Sequence, residues 1–487
     1  MSENKPILDL LIVGAGISGI SAACHLQHHC PDKAYSILEA RQDIGGTWDL
    51  FRYPGIRSDS DMFTFGFEFK PWTGSKALAD GPSIKAYLQE AVEEYRVGKH
   101  IRFGYRVTKA QWNDARTLWI VTAQDGDGRE VEFRTRVLFM CSGYYNYEHG
   151  YPARIPGIEA FEGPVVHPQH WPENFDYGGK RVAVIGSGAT AVTLVPAMAG
   201  QAGQVTMIQR SPTWIVSRPA EDRLARILNR MLPEKFAYRL IRGLNIRLQN
   251  YVYKRSRSKP QKMRELLLKM IRKELGEDYP VETDFTPRYN PWDQRLCVVP
   301  DADLFEAIKS GKARVVTGEI EHVTGQGVRM KSGELVEADI LVTATGLELQ
   351  LYGGVEFYAG DEKINFADHF TYQGMMVSGI PNLVWTFGYI NASWTLRADL
   401  TSRFVCQMFQ RMDETATKRF VPCLSEAEKA MPAMPWIEDF TPGYIQRGLQ
   451  EFPRQGEHLP WRNTQDYLLD RKLMKKGLAD DGVLKFS

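Results

Sequence analysis

Two copies of a strand–glycine-loop–helix unit predict an α/β protein with two Rossmann-like domains. Their loops begin at Gly14 and Gly186, 172 residues apart. A third observation adds a helical insertion: residues 223–276 carry sixteen Lys or Arg against three Glu, with apolar residues at helical spacing. The length agrees, since 487 residues make two to four domains at roughly 100–200 residues each. Hydrophobic residues at 43% and charged residues at 24% build packed cores, not a disordered chain.

Residues 8–13, apolar apart from Asp9, read as a buried parallel strand, and 17–27 as the helix after it. Residues 35–38 form the next strand, ending at Glu39. Residues 45–72 are rich in Gly, Pro, Arg and Asp and read as loop, and 83–95 as an amphipathic helix. Strands are expected at 101–107, 111–123 and 130–139, with a turn at Asp125-Gly126-Asp127-Gly128. A proline-bearing connection at 151–163 marks the first boundary. The second unit has strands at 181–185 and 205–209, and further strands follow at 313–316 and 339–343. An aromatic stretch at 385–394 leads into a helix from Ser393.

Several classes fall away. A net charge of +1 excludes a globally basic nucleic-acid binder. The six cysteines contain no C-x-x-C pair, which argues against a zinc module or a thioredoxin-like dithiol and fits reduced thiols in a cytoplasmic protein. Lys5 and the apolar run 7–13 could pass for a secretory signal, but a strand feeding a phosphate loop explains the glycines that follow. No apolar stretch reaches the ~20 residues needed to span a bilayer. His25, His28 and His29 read as a solvated helix end, not a metal site, because acidic partners at ligand spacing are missing. No G-x-S-x-G supports hydrolase chemistry.

Gly14, Gly16 and Gly19 form G-x-G-x-x-G, which allows a tight turn, close approach to a pyrophosphate and close helix packing. Glu39, twenty residues after Gly19, suits an unphosphorylated ribose, as in FAD or NAD. In the second loop Gly186, Gly188 and Ala191 give G-x-G-x-x-A, and the next strand ends in Gln209-Arg210-Ser211. A guanidinium and a hydroxyl there suit the 2′-phosphate of NADPH. Two loops of differing preference imply a bound flavin and a diffusible nicotinamide donor. Residues 339–346 add a strand running into a small-residue turn where backbone can lie against a cofactor.

Gly45-Gly46-Thr47-Trp48, then Tyr53-Pro54-Gly55, then Asp59, resembles one fingerprint of the class B flavoprotein monooxygenases of the Baeyer–Villiger type. Phe161-x-Gly163-x-x-x-His167-x-x-x-Trp171-Pro172 resembles their other fingerprint. The resemblance implies an FAD domain split in sequence around an inserted NADPH domain. It places the first FAD part at 1–155, the NADPH domain at 156–222 and 277–345, the basic insertion at 223–276, and the second FAD part with the C-terminal region at 346–487. It implies that NADPH reduces FAD, that O2 adds to give a C4a-peroxyflavin, and that one oxygen passes to a ketone, giving an ester, or to the sulfur of a sulfide or thioamide.

By the same resemblance Arg295 lies over the flavin as a permanent positive charge, and Asp59 orients it. Gly14, Gly16, Ser18, Gly19, Glu39, Gly46, Thr47, Trp48, Asp49, Leu50, Asp59 and Val107 would bind FAD. Arg57, Ser58 and Asp59 would face the nicotinamide. Ser187, Gly188, Ala189, Thr190, Ala191, Val192 and Thr193 would line the NADP diphosphate, with Arg210 and Ser211 at the 2′-phosphate. His167 and Trp171 would serve a domain hinge. Gln294 stands where many relatives carry a Lys that helps hold the 2′-phosphate. The helix from Ser393 would point its positive end at the flavin.

The basic segment suits either an anionic membrane surface or a solvated face over a substrate tunnel. Three other functions compete with the leading reading. The first is an N- or S-hydroxylating flavin monooxygenase with little ketone activity. The second is a flavin disulfide reductase, for which Cys24 and Cys30 are wrongly spaced. The third is a non-catalytic flavin sensor.

Overall fold

The structure is a computed structural model that describes residues 6–74, 76–438, 440–475 and 482–487. It is a mixed α/β fold organised on two sheets, as the two glycine loops predict. The larger has nine strands. Ile7–Val13 lies between Glu130–Met140 and Tyr35–Glu39, parallel to both, and Ile101–Phe103 extends that edge. Arg106–Asn113 and Leu118–Gln124 add an antiparallel hairpin on Glu130–Met140. Glu356–Ala359 and Leu383–Trp385 join from much later in the chain, the latter parallel to Glu130–Met140. The smaller sheet has five parallel strands, in the order 313–317, 204–209, 181–185, 340–343 and 165–166.

Leu10, Leu11 and Ile12 are fully buried because both faces of the larger sheet are covered. On one side Ile17–His29 packs with Trp394–Thr415, where Ile20 and Ala23 share a core with Phe404 and Met408. On the other, Trp112, Trp119 and Phe357 fill the space under the hairpin. Each such large side chain contributes about 1.5–3 kcal/mol on burial.

The two glycine units repeat one device. A Cβ on Gly14, at φ +102°, would sit 2.6 Å from the Cys141 carbonyl oxygen. A Cβ on Gly186, at φ +142°, would sit 2.3 Å from that of Ala344. In each unit a returning strand presses its small-residue turn against the loop, so Ala344 in the 339–346 turn is the counterpart of Cys141.

Two local expectations are corrected. The strand expected over 111–123 is broken by a turn at 114–117, where Thr117 takes φ +52° and Asp114 accepts from its backbone N–H. Asp and Asn turn chemistry overrode the β-prone flanks. His25 is not solvated: it is buried and its Nε2 lies 3.2 Å from Asp399 Oδ1. Only His28 and His29 are exposed.

The insertion forms three helices, Arg223–Met231, Glu234–Ser258 and Pro260–Leu275. Arg242 fastens the second to the body of the protein. Its Nη1 donates to the carbonyls of Phe63, Thr64 and Gly66, and its Nη2 lies 3.4 Å from Asp399. Asp399 also accepts from Ser21 Oγ and the Glu68 backbone. Burial pushes the Asp399 carboxyl up, but the hydrogen bond and charge of His25 and the charge of Arg242 hold it below the usual carboxylate range.

Candidate active site

A cavity of about 260 Å³ opens where the first glycine loop, residues 45–60 and the second glycine helix converge. Residues 141–147, 295–298, 387–394 and 440–445 complete its wall. Of the residues the sequence singles out, Gly16, Ser18, Gly46, Thr47, Trp48, Arg57, Ser58, Asp59, Ala189, Val192, Thr193 and Arg295 meet here.

The first loop is built to take an anion at its mouth. A Cβ on Gly16 would meet only Gly46, at 3.7 Å, so backbone is open to close approach. The helix Ile17–His29 has no side-chain cap, leaving its N–H groups available. Glu39 is buried and accepts from the backbone N–H of Ala15 at 2.7 Å and of Arg41 at 2.9 Å. Burial pushes its carboxyl up while those two N–H groups oppose the shift. Each oxygen keeps a lone pair for a further donor. Gly14 and Gly19 lie behind the loop, where Gly19 packs on the Gly14 carbonyl.

The first fingerprint joins the two halves. Gly55, at φ +76°, presses on the second glycine helix, Ala189–Ala199: a Cβ there would lie 2.6 Å from Ala197 Cβ and 3.1 Å from the Thr193 carbonyl. Four residues on, Asp59 takes a bidentate ion pair from Arg295, Nε to Oδ2 at 2.7 Å and Nη2 to Oδ1 at 2.9 Å. The Arg295 side chain is 42% exposed, but what it faces is the cavity. The Asp59 charge raises its pKa further, so it stays cationic. Tyr144 and Tyr444 stand beside it; burial pushes both phenols up, against the opposing charge of Arg295.

Aromatic rings form the rest of the wall. Trp394 stacks on Tyr144 at 5.1 Å and 20°, and Phe387 packs on both. Trp394 Nε1 donates to Ser18 Oγ at 2.7 Å. Thr47 Oγ1 and Tyr145 Oη are 2.6 Å apart. Trp394–Thr415 also starts without a side-chain cap, and Ala392 and Trp394 line the cavity at that end.

Other candidates have different commitments. The Asp49 carboxylate is buried and holds Arg41 at 2.6 Å and Lys85 at 2.7 Å, so its side chain does not face the cavity. Leu50 lies in the core under the smaller sheet. Val107 sits in the hairpin core, beside a register shift at 107–109. Arg57 pairs with Asp303 at 2.6 Å, and the Ser58 hydroxyl donates to the Ser60 carbonyl.

At the second loop Gly188 has open space where a Cβ would be, and its helix is uncapped. Ser187 Oγ donates to the Ser211 carbonyl at 2.9 Å, which draws the two ends of this site together. Arg210 and Ser211 are exposed, Ala191 is fully buried, and Thr190 lies against the Tyr53 hydroxyl.

His167 and Trp171 stand away from the cavity. The His167 ring covers Gly150 and its Nδ1 accepts from the Gln169 backbone; burial lowers its pKa. Trp171 packs edge-on to Phe175 at 5.6 Å. Among the described residues no group of three His, Cys, Asp or Glu could hold a metal ion. Cys141 and Cys297 line the cavity as free cysteines. Burial keeps both protonated, Cys297 being pushed up to about 12.

Sequence reasoning missed Tyr145, Phe440 and Tyr444. Tyr444 stands almost 150 residues from Arg295, in a six-residue helix with no motif of its own. The only signal was the high aromatic content of the chain.

The two open glycine loops and the cavity between them fit a flavin-dependent oxygenase, and sequence likeness states the family. The pattern of the flavin-binding monooxygenase-like family matches residues 77–288, and that of an NAD(P)-binding Rossmann-like domain matches residues 12–80. The chain is 51% identical over 481 residues to the FAD-containing monooxygenase EthA of Mycobacterium tuberculosis, covering 99% of this chain and 98% of that one. It is 47% identical to the probable FAD-binding monooxygenase AlmA of Acinetobacter baylyi, covering 98% and 96%. The chain belongs to the flavin-binding monooxygenase-like family, as its two fingerprints imply. Among solved structures it is similar to an oxidised steroid monooxygenase bound to NADP, with TM-score 0.78, 21% identity and 99% of each chain covered. It is also similar to the cyclohexanone monooxygenase of Rhodococcus sp. Phi1 bound to NADP+, with TM-score 0.77, 20% identity, and 99% and 100% covered. At that identity these two likenesses show the fold alone.

Proposed function

We propose that this flavin monooxygenase uses NADPH and O2 to convert ketones to esters, and that it also oxygenates the sulfur of sulfides and thioamides. The single observation carrying this reading is the Arg295–Asp59 pair, held in an aromatic cavity between two open glycine loops.

The residues present fit both cofactors. Gly14, Gly16, Gly19 and Glu39 would hold the adenosine diphosphate of FAD, while Gly46, Thr47, Trp48 and Ser18 would border its ring. Ser187 through Thr193 would take the NADPH diphosphate, with Arg210 and Ser211 at the 2′-phosphate. Residues 1–155 and 346–487 would then form the FAD domain, 156–222 and 277–345 the NADPH domain, and His167 with Trp171 the hinge between them. Bound flavin would pass the two electrons of NADPH to O2 and supply the oxygen-activating chemistry.

The chain's own groups supply the rest. Arg295 places a fixed positive charge where negative charge gathers on oxygen. Asp59 fixes the plane of that guanidinium through two hydrogen bonds. Tyr144, Phe387 and Trp394 give it an aromatic wall on the cavity side. The uncapped start of Trp394–Thr415 offers its positive end to an electron-rich ring.

Anaerobic NADPH reduction followed by aeration tests the reading. With Arg295→Ala, flavin reduction should persist while ester formation falls by about 10²–10³, the range for loss of one preorganised charge contact. Sulfide oxygenation with no ester from the wild-type protein would favour the N- or S-hydroxylating alternative. Full ester formation by Arg295→Ala would refute the role given to that residue.

A further inference from the structure

The insertion has an inner and an outer face, and only the inner one is satisfied. Inside, Ala225, Ala237, Tyr238 and Ile241 pack with Phe63 and Ala77, and Arg242 is latched as described. Outside, nine of the fifteen exposed large hydrophobic side chains among the described residues fall within 223–275. Phe236, Leu240, Leu244 and Leu248 recur every fourth residue and form one stripe along the second helix. Ile227 and Met231, the latter 75% exposed, continue it on the first helix. Scattered exposed apolar residues are ordinary, but a contiguous stripe marks an interaction surface.

Its chemistry names the partner. The segment 223–276 carries sixteen Lys or Arg against three Glu. Arg223, Arg230 and Lys235 flank the stripe and have no carboxylate partner among the described residues. A second copy of this chain would bring one basic face onto another. An anionic bilayer offers negative headgroups to the arginines and acyl chains to the stripe, which would sink about 5–10 Å. No helix among the described residues is long and apolar enough to cross a membrane, so the mode is docking on the surface.

We propose that the exposed face of residues 223–251 docks the enzyme on an anionic lipid bilayer. The same helix reaches the cavity wall from its other side. Gln249 Nε2 donates to Asp61 Oδ2 at 2.6 Å, and the Tyr238 hydroxyl donates to the Phe67 carbonyl at 2.9 Å. Ser60 and Phe65, in that same stretch, line the cavity. One helix diameter, about 10 Å, then separates lipid from the residues bordering the site. Docking would bring the enzyme to substrates dissolved in the bilayer; this consequence rests on the proposed function, whereas the docking itself does not.

Sedimentation of the full-length, FAD-loaded protein with vesicles tests it. Wild-type protein should pellet with phosphatidylcholine vesicles containing about one third phosphatidylglycerol and stay soluble with phosphatidylcholine alone. Arg223→Gln/Arg230→Gln should weaken binding about fivefold per charge, or about thirtyfold together, and salt should erase the difference. Met231→Glu/Phe236→Glu should weaken binding by at least roughly tenfold at every salt concentration. Both double variants change exposed side chains and should keep the wild-type flavin spectrum and NADPH oxidation rate. Wild-type protein left in the supernatant of anionic vesicles at low salt would overturn the proposal, as would equal pelleting of Met231→Glu/Phe236→Glu. Light scattering that shows a wild-type dimer split by those substitutions, with no vesicle binding, would assign the face to a second copy instead.

Discussion

Gly55→Ala should cripple oxygen transfer from a position that touches no substrate. The new Cβ would lie 2.6 Å from Ala197 Cβ. Two carbons need about 3.5–4.0 Å, so the loop must retreat by about 1 Å. The backbone cost comes on top, since φ is +76° and a left-handed residue other than glycine costs roughly 1–2 kcal/mol. Overpacking of this kind adds about 1–3 kcal/mol. The retreat carries Asp59, four residues on, away from its 2.7 and 2.9 Å bonds with Arg295. A misplacement of about 1 Å costs on the order of 10² in rate. The assay is ester formation from an open-chain ketone, with anaerobic flavin reduction by NADPH as the internal control. Gly55→Ala/Ala197→Gly removes the clash with Ala197, the worst of the contacts, but not the 3.1 Å approach to the Thr193 carbonyl or the backbone strain. It should recover most of the rate without recovering the melting temperature. Wild-type ester formation by Gly55→Ala alone would refute the coupling drawn between helix packing and the ion pair. Failure of the double variant to recover rate would refute the steric account.

Further outcomes follow from the buried charges and the second loop. Arg242→Leu leaves Asp399 buried without its arginine and takes one donor from each of the Phe63, Thr64 and Gly66 carbonyls, so the protein should lose about 3–5 kcal/mol in urea unfolding. Asp399 has a depressed pKa in the fold. The unfolded chain therefore takes up that proton first below its ordinary value of about 3.9. The contribution of Asp399 is present above that pH and is lost as pH falls through the lower folded value. Asp399→Asn should flatten this acid limb of stability, measured by unfolding between about pH 2 and 5. Arg210→Glu should raise KM for NADPH by about 10–100-fold and change KM for NADH by less than about threefold.

The parts legible in the sequence are those whose chemistry is local. A glycine loop announces itself because turn, anion approach and helix packing are all set within six residues. Both fingerprints are legible for a related reason: Gly55 and Gly163 are forced by close contacts, with Ala197 Cβ and with the Asp339 carbonyl. The pairing of Asp59 with Arg295 spans 236 positions and came from family resemblance, not from spacing. Tyr444 and Phe440 were invisible because an aromatic residue looks the same in a core and in a cavity wall. Arg242 was not singled out and His25 was misjudged by context. Charge counting left Arg242 undistinguished among the basic residues of 223–276, and neighbouring histidines made His25 look exposed, yet both converge on Asp399. Nothing in a linear pattern reports a buried carboxylate contributed from 374 residues away.

The larger sheet takes strands from both ends of the chain, and this constrains how the protein is made. Leu383–Trp385 closes on Glu130–Met140, and Trp394–Thr415 covers the helix Ile17–His29. About 240 residues must leave the ribosome between the paired strands and about 365 between the packed helices, which takes roughly 12–50 s and 18–75 s at about 5–20 residues per second. The five-stranded sheet uses only residues 165–343, so it can fold within that interval. Meanwhile Ile20, Ala23 and the open edge at Leu138–Met140 wait uncovered. The nascent chain therefore passes through a stage in which its inserted half is complete and its first half is still sticky. Any truncation before residue 383 would freeze it there.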